Sequence, residues 1–428
     1  MHVAIIGNGI TGVSAAIRIR QLKPDWKITM ISGESDFHFS RPSLMYIYMG
    51  HMRYREAKPY ENSFWERNDI GLLRDWVLEI DSGAKRLLMH SSDLIYYDKL
   101  LIATGSKSNK LGWPGQDLKG VQGLYDLMDL RELHENSEGV KSAVIVGGGL
   151  IGIELGEMLH SRGIHVTFLV REDSYWDNVL PAEESALING LIEQEGMELR
   201  LGTELKEIFG DRSGRVRGVE TSTGELIDCG IVGLTAGVSP NIDLVRDHEI
   251  PTGRGVLVDS GFRTGVEDIY SAGDCAEIVT LGDGRNLIQQ VWYTGKMQGK
   301  AAGESISGLD TTYEPGVWYN SAKFVNLEYQ IYGTVNNAQG TLEIKDEQNL
   351  YWEHPNKKHA LRLVHDGSKI LGINTMGLRY RHRVCEFWIK EKRSVGYVLD
   401  NLKEANFDPE FFRRYESEIV GNLKEQQT

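Results

Sequence analysis

The strongest constraint on this chain is a repeat. Residues Val3 to Gly12 read VAIIGNGITG, and residues Ala143 to Gly152 read AVIVGGGLIG, the same GxGxxG register 140 residues further on. In each copy a short apolar run, suited to a buried strand, leads into glycines 7, 9 and 12 or 147, 149 and 152 and then into a helical pattern. In such a strand–turn–helix unit the first glycine permits the tight turn and the second lets the backbone approach a pyrophosphate. The third lets helix and strand pack closely, while free N–H groups at the helix start face the phosphates. One such turn could be packing economy alone. Two in matching context predict two dinucleotide-binding units and two cofactors. The likeness continues past the turns, with Gly156 in the place of Ala16 and the apolar stretch Val166 to Val170 in the place of Lys27 to Ser32.

The rest of the composition narrows the class. A length of 428 residues predicts two or three domains. The three cysteines, Cys229, Cys275 and Cys385, form no CxxC and no disulfide framework, which fits a reducing compartment. Met1 leads straight into strand residues without a basic stretch and apolar core, and no apolar run is long enough to span a bilayer. A soluble, cytoplasmic protein is expected, with no membrane partner. The net charge of −14 argues against nucleic acid, which needs an excess of phosphate-neutralising side chains. All of that surplus lies before Tyr313, since the remainder carries 16 basic and 16 acidic residues. No cluster with metal-ligand spacing is present.

Between the turns, several stretches suit cofactor contacts. Lys27 to Ser32 reads as the second strand, and Glu34 is the candidate acid for ribose hydroxyls. The aromatic stretch Phe37 to Gly50 contains Arg41-Pro42, where proline favours a shaped loop that could wall a flat ring system; an aromatic helix over Tyr46 to Met49 is the alternative. Gly71 to His90 alternates as an antiparallel sheet with a turn at Asp81-Ser82-Gly83. YDKLLIATG, Tyr97 to Gly105, predicts a buried strand ending in small residues, Thr104 and Gly105, that admit a cofactor backbone-close. A short helix is expected over Leu124 to Glu135. The second copy's strand ends before Arg171-Glu172: Arg171 suits the 2′-phosphate of NADPH, whereas Glu172 would take a ribose diol. TAGVSPN, with Gly237, reads as a crossing between domains, and Asp274, beside Gly273, suits a hydrogen bond to a polyol. From Tyr313 the pattern mixes strands (Ala360 to Val364, Ile370 to Asn374) with helices (Arg383 to Leu402, Asp408 to Glu418). Cys385 stands near Arg379, Arg381, His382 and Arg383, which would lower a thiol pKa; an ordinary buried helix residue is the alternative.

Taken together, Gly7 to Gly12, YDKLLIATG, GGGLIGIELG, TAGVSPN, IYSAGDCAE and WYTGKMQGKAA resemble the pyridine nucleotide-disulfide oxidoreductases, within them the ferredoxin/rubredoxin reductase-like branch. The resemblance covers roughly the first three-quarters of the chain. It implies FAD on the first glycine turn with Asp274 at the ribityl chain, NAD(P)H on the second, and Trp292 near the flavin's pyrimidine end. Glu154 matches the family acid close to nicotinamide and flavin. Tyr46 stands where the branch carries a lysine that pairs with this acid, and Pro42 stands where the single-cysteine branch carries its catalytic cysteine.

The expected fold class is therefore α/β: two Rossmann-like dinucleotide-binding domains, the second inserted in the first, plus a C-terminal α+β domain. Residues 1–112 and 240–312 would bind FAD, 113–239 NAD(P)H, and 313–428 would form an interface domain. The expected function is hydride transfer from NAD(P)H to flavin and onward delivery to an external acceptor such as a small iron–sulfur protein. Lys357, Lys358, Arg379, Arg381, Arg383, Lys390, Lys392 and Arg393 would supply a local basic face for it. Direct reduction of oxygen, a quinone or a sulfur species, and a redox-sensing interaction protein, are the alternatives; a homodimer is open to the chain.

Overall fold

The computed structural model describes residues 1–279, 286–342, 344, 346–407 and 413–426. They form two compact units. The first comprises Met1–Leu111, Gln122–Glu138 and Gly237–Glu314. Its centre is a parallel sheet in the order Ile269–Ser271, Lys99–Ile102, His2–Ile6, Lys27–Ile31, Ile70–Leu73. The first glycine turn follows the middle strand. Both faces of that strand are covered, which is why it reads as an unbroken apolar run. Val3 and Ile5 pack with Val13, Ala16 and Ile19 of the helix Ile10–Leu22. Ala4 and Ile6 face Ile80, Leu87 and Met89 of an antiparallel meander, Val77–Asp81, Arg86–Met89 and Leu94–Tyr96.

The meander corrects the alternation expected from Gly71 onward. Ile70–Leu73 pairs in parallel with Lys27–Ile31 as the edge of the main sheet, because its residues align with Ile28 to Ile31, and the antiparallel strands start only at Val77. Arg41-Pro42 also departs from the expected loop. Arg41–Ser43 forms a 3₁₀ turn that runs into the helix Leu44–Tyr48, with proline at a position where a helix start tolerates the missing N–H. The short helix expected from Leu124 begins instead at Leu127, because Asp126 caps it by accepting from Asp129 N at 2.8 Å.

The second unit comprises Gly112–Val121, Gly139–Ala236 and Pro315–Thr428. Here Ser142–Val146 is flanked in parallel by His165–Leu169 and Ile231–Leu234, with Glu198–Arg200 beyond His165–Leu169. Ala143 pairs with Val166 as Val3 pairs with Ile28, so the repeat holds at the level of register. In the same unit lies an antiparallel sheet in the order Tyr319–Phe324, Leu327–Gly333, Ile370–Met376, Ala360–His365, Gln348–Glu353. Arg362, on one of its central strands, forms ion pairs with Glu183 (2.7 Å) and the buried Glu184 (2.8 Å) of the helix Ala182–Gln194.

The single helix expected over Arg383 to Leu402 is three: His382–Lys390, Val395–Asp400 and Leu402–Ala405. The break comes at Lys392, which takes a left-handed φ of 52°, and Ser394 then caps the next helix. Of the helix expected over Asp408 to Glu418, residues 408–412 lie outside the described residues. The last helix is Glu416–Glu425. Among the described residues no helix is long and apolar enough to cross a membrane, and no group of three His, Cys, Asp or Glu side chains is placed to hold a metal ion.

Candidate functional site

The two glycine turns separate what packing demands from what it does not. Gly7 has φ of 111°, and a Cβ there would collide with the carbonyl of Ala103; one at Gly12 would collide with the carbonyl of Gly7. Packing alone therefore accounts for these two. Gly9 differs. Its φ of −67° and ψ of −178° suit any residue, and nothing lies within 4 Å of where its Cβ would be. It caps the helix Ile10–Leu22 without a side-chain hydrogen bond. The second copy behaves alike: Gly147 (φ 120°) would place a Cβ 2.7 Å from Thr235 O and Gly152 one 2.8 Å from Gly147 O, whereas Gly149 faces open space at an uncapped helix start. A bare backbone turn, open at its middle glycine and backed by free helix N–H groups, fits a pyrophosphate.

Around the first turn a polar network joins residues far apart in sequence. Glu34 accepts from Arg41 Nη1 (3.0 Å) and Nη2 (2.8 Å) and from Leu127 N (3.1 Å). Arg41 also donates to Tyr125 O at 2.6 Å, and its guanidinium lies 4.6 Å from the Tyr125 ring centroid. The Tyr125 hydroxyl accepts from Ser106 N (2.8 Å) and donates to Asp274 Oδ2 (3.3 Å), which also accepts from Ser106 Oγ (3.2 Å). Burial pushes the Asp274 carboxyl above its ordinary value. Thr104 donates to Asn241 O at 2.6 Å, and Gly105 and Gly237 both hold left-handed φ. Trp292 opens the helix Trp292–Ile306, and Tyr46 lies half-buried on Leu44–Tyr48, following the Pro42 turn. Tyr125 was not singled out by sequence. Its stretch reads as helix, and its link to Asp274 spans 149 residues.

In the second unit, Arg171 is exposed and donates through Nε (3.1 Å) and Nη2 (2.7 Å) to Glu172 Oε1. The two candidates for the ribose end thus form one ion pair. Glu154 lies a turn into the helix Leu150–His160, and burial, with Glu157 nearby, pushes its carboxyl up to about 7. Tyr175, buried and absent from the sequence-based candidates, donates to Gly149 O at 2.9 Å and so braces the turn from beneath. Nothing in its irregular stretch signals that role.

All three cysteines are buried. Burial pushes the Cys229 thiol up to about 12 and raises that of Cys385 as well. The basic neighbours of Cys385 therefore do not activate it, because desolvation of the thiolate outweighs them. Within the basic stretch, Arg379 pairs with Glu328 and Lys357 with Glu353, while Arg393 stacks over Phe387 and Tyr397. Arg381, Arg383, Lys390 and Lys392 are exposed, as is Lys358.

The family model for pyridine nucleotide-disulphide oxidoreductases matches residues 1–299. The chain belongs to this family. Its cofactors are accordingly FAD and NAD(P)H, and the open middle glycines and the polar groups at the strand ends fit both. A nitrite reductase [NAD(P)H] from Bacillus subtilis is 28% identical over 88% of this chain but only 45% of its own length, so the chain spans less than half of that protein. Rubredoxin-NAD(+) reductase from Pseudomonas putida is 29% identical over 73% of this chain and 81% of its own. Among solved structures, a NAD-dependent persulfide reductase from A. fulgidus superposes with a TM-score of 0.86 over 100% of this chain and 83% of its own, at 23% identity, a likeness of fold. This pyridine nucleotide-disulphide oxidoreductase thus shares its framework with proteins named for different acceptors.

Proposed function

We propose that the protein carries electrons from NAD(P)H through FAD to a separate carrier, a small iron–sulfur protein of the rubredoxin or ferredoxin type. The carrying observation is the state of the cysteines. A relay to a disulfide or sulfur substrate needs an accessible thiolate, and each of the three thiols is buried. Bound flavin supplies the chemistry, accepting two electrons as hydride and releasing them singly. The similarity to a rubredoxin reductase along 81% of that protein supports the same reading.

In this reading Gly7, Gly9 and Gly12 cradle the FAD pyrophosphate, Asp274 takes a ribityl hydroxyl, and Glu34, Arg41 and Pro42 shape the adjoining wall. Thr104, Gly105 and Gly237 keep the backbone close to the cofactor, with Trp292 toward the flavin's pyrimidine end. Gly147, Gly149 and Gly152 cradle NAD(P)H, Arg171 or Glu172 meets its adenosine ribose, and Glu154 and Tyr46 act near the nicotinamide. Residues 1–112 and 240–312 serve FAD, 113–239 NAD(P)H, and 313–428 the acceptor. Buried, unbridged cysteines suit a reducing cytoplasm.

Anaerobic spectral titration with NADH and with NADPH, followed by reoxidation with a panel of acceptors, tests this. Rubredoxin or ferredoxin should reoxidise the flavin faster than oxygen, a quinone or polysulfide, and a variant with all three cysteines changed to alanine or serine should keep that rate. Fastest reoxidation by polysulfide, abolished in the cysteine variant, would sink the reading.

A further inference from the structure

Along the sheet of the first unit, candidate cofactor residues follow successive strand ends. Beyond Ile269–Ser271 comes Asp274, beyond Lys99–Ile102 come Thr104 and Gly105, and beyond His2–Ile6 come Gly7 and Gly9. Beyond Lys27–Ile31 come Gly33 and Glu34, and beyond the edge strand Ile70–Leu73 comes Trp76. Ligands of such sheets lie across the carboxyl ends of the strands. With its pyrophosphate on the central glycine turn and its polyol at Asp274, FAD would have its adenosine over the last two strand ends.

Two observations bear on what that place offers. The Glu34 carboxylate is already engaged by Arg41 through both oxygens and by Leu127 N. Beside it, Trp76 is 52% exposed. Its indole lies against Gly33 so closely that a Cβ there would run into Cδ2 and Cε2 of the ring. Gly33 does not hold a left-handed φ, so among its surroundings the indole is what requires a glycine. The Trp76 backbone is fixed on both sides, its N–H donating to Asp75 Oδ1 (2.7 Å) and its carbonyl accepting from His90 N (2.8 Å). An aromatic face set against Gly33 and partly open to solvent stands at the end of the row where the adenosine would lie.

We propose that the Trp76 indole is the platform on which the adenine of FAD stacks, so that adenosine is held here by an aromatic face rather than by a free carboxylate. This rests on the assignment of FAD to the first glycine turn. Stacking on an aromatic ring needs no polar code, because every base presents a π face, and it draws on the offset geometry that aromatic pairs prefer.

The test compares two flavins that differ by the adenosine. After flavin is removed from the purified holoprotein, dissociation constants for FAD and for FMN are measured by flavin fluorescence in the wild type, Trp76→Ala and Trp76→Phe. Trp76→Ala should weaken FAD by about tenfold or more, the usual scale of one base–aromatic stack, and leave FMN unchanged. Trp76→Phe should recover most of the FAD affinity. Unchanged FAD affinity in Trp76→Ala, or equal losses for FAD and FMN, overturns the proposal while leaving the FAD assignment standing. A wild type that takes up neither flavin overturns the assignment itself.

Discussion

At the scale of single residues, the two kinds of glycine in each turn make opposite predictions. Gly9→Val puts a side chain into open space at a backbone conformation valine adopts freely, so the flavin-free protein should melt within a few degrees of the wild type. Its purified flavin content should fall close to zero, because the added methyls occupy the pyrophosphate's approach. Gly7→Val must take a φ of 111° and collide with the Ala103 carbonyl, which should lower the melting temperature or prevent folding outright. Thermal melts read beside flavin absorbance separate the two outcomes. Glu154 gives a pH-dependent counterpart. Its folded carboxyl, raised from 4.5 to about 7, holds a proton through a window in which the unfolded chain has lost it. The folded state thus binds more protons there, and stability falls as pH rises through that window. Glu154→Gln should remove this loss, being neutral relative to wild type at pH 4 and more stable at pH 8 by at most about 3 kcal/mol. Denaturation at the two pH values checks the sign.

At the scale of elements, one helix pairing links the first glycine turn's helix to the turn that carries Asp274. Gly295, Gly299 and Gly303 lie four apart on Trp292–Ile306 and meet the helix Ile10–Leu22. A Cβ at Gly299 would collide with Thr11 O, and one at Gly303 would sit 2.9 Å from Ala15 O. Gln298, next to Gly299, accepts from Gly273 N at 2.8 Å and so anchors the turn that carries Asp274. Gly299→Leu should separate the helices, cost about 1–3 kcal/mol or more, and release flavin at temperatures where the wild type retains it. Loss of stability with full flavin retention would show that the pairing does not reach the site. Such elements also show what the sequence makes legible. The glycine turns and their flanking strands could be placed because their patterns are local and repeated. Tyr125, Tyr175 and Trp76 could not, because each acts on a partner brought near only by folding, as Tyr125 does on Asp274. The break at Lys392 is illegible in sequence for a related reason: a lysine in left-handed conformation leaves no local signature.

At the scale of the whole molecule, charge is the property that a partner meets first. The chain carries −14, yet its last 116 residues are balanced, so an acidic iron–sulfur protein would be repelled by most of the surface and tolerated by this part. The structure sorts the eight cations proposed for docking. Arg379 and Lys357 are paired with Glu328 and Glu353, and Arg393 is laid over two aromatic rings, whereas Lys358 is exposed and Arg381, Arg383, Lys390 and Lys392 stand exposed on or just beside the helix His382–Lys390. These exposed cations are the ones best placed to steer an acidic partner over distances of about a Debye length. Replacing Arg383, Lys390 and Lys392 together by alanine should raise the KM for ferredoxin or rubredoxin severalfold at low salt and have little effect near 0.5 M, where about 4–5 Å of screening hides both forms. Turnover with a small acceptor such as ferricyanide should stay unchanged, since the substitutions touch no nucleotide turn. Arg379→Ala should shift the KM less than the triple variant, because it changes the local charge by one unit where the triple variant changes it by three. A triple variant with the salt profile of the wild type would move the docking face elsewhere on the molecule, leaving electron transfer through the flavin as it stands.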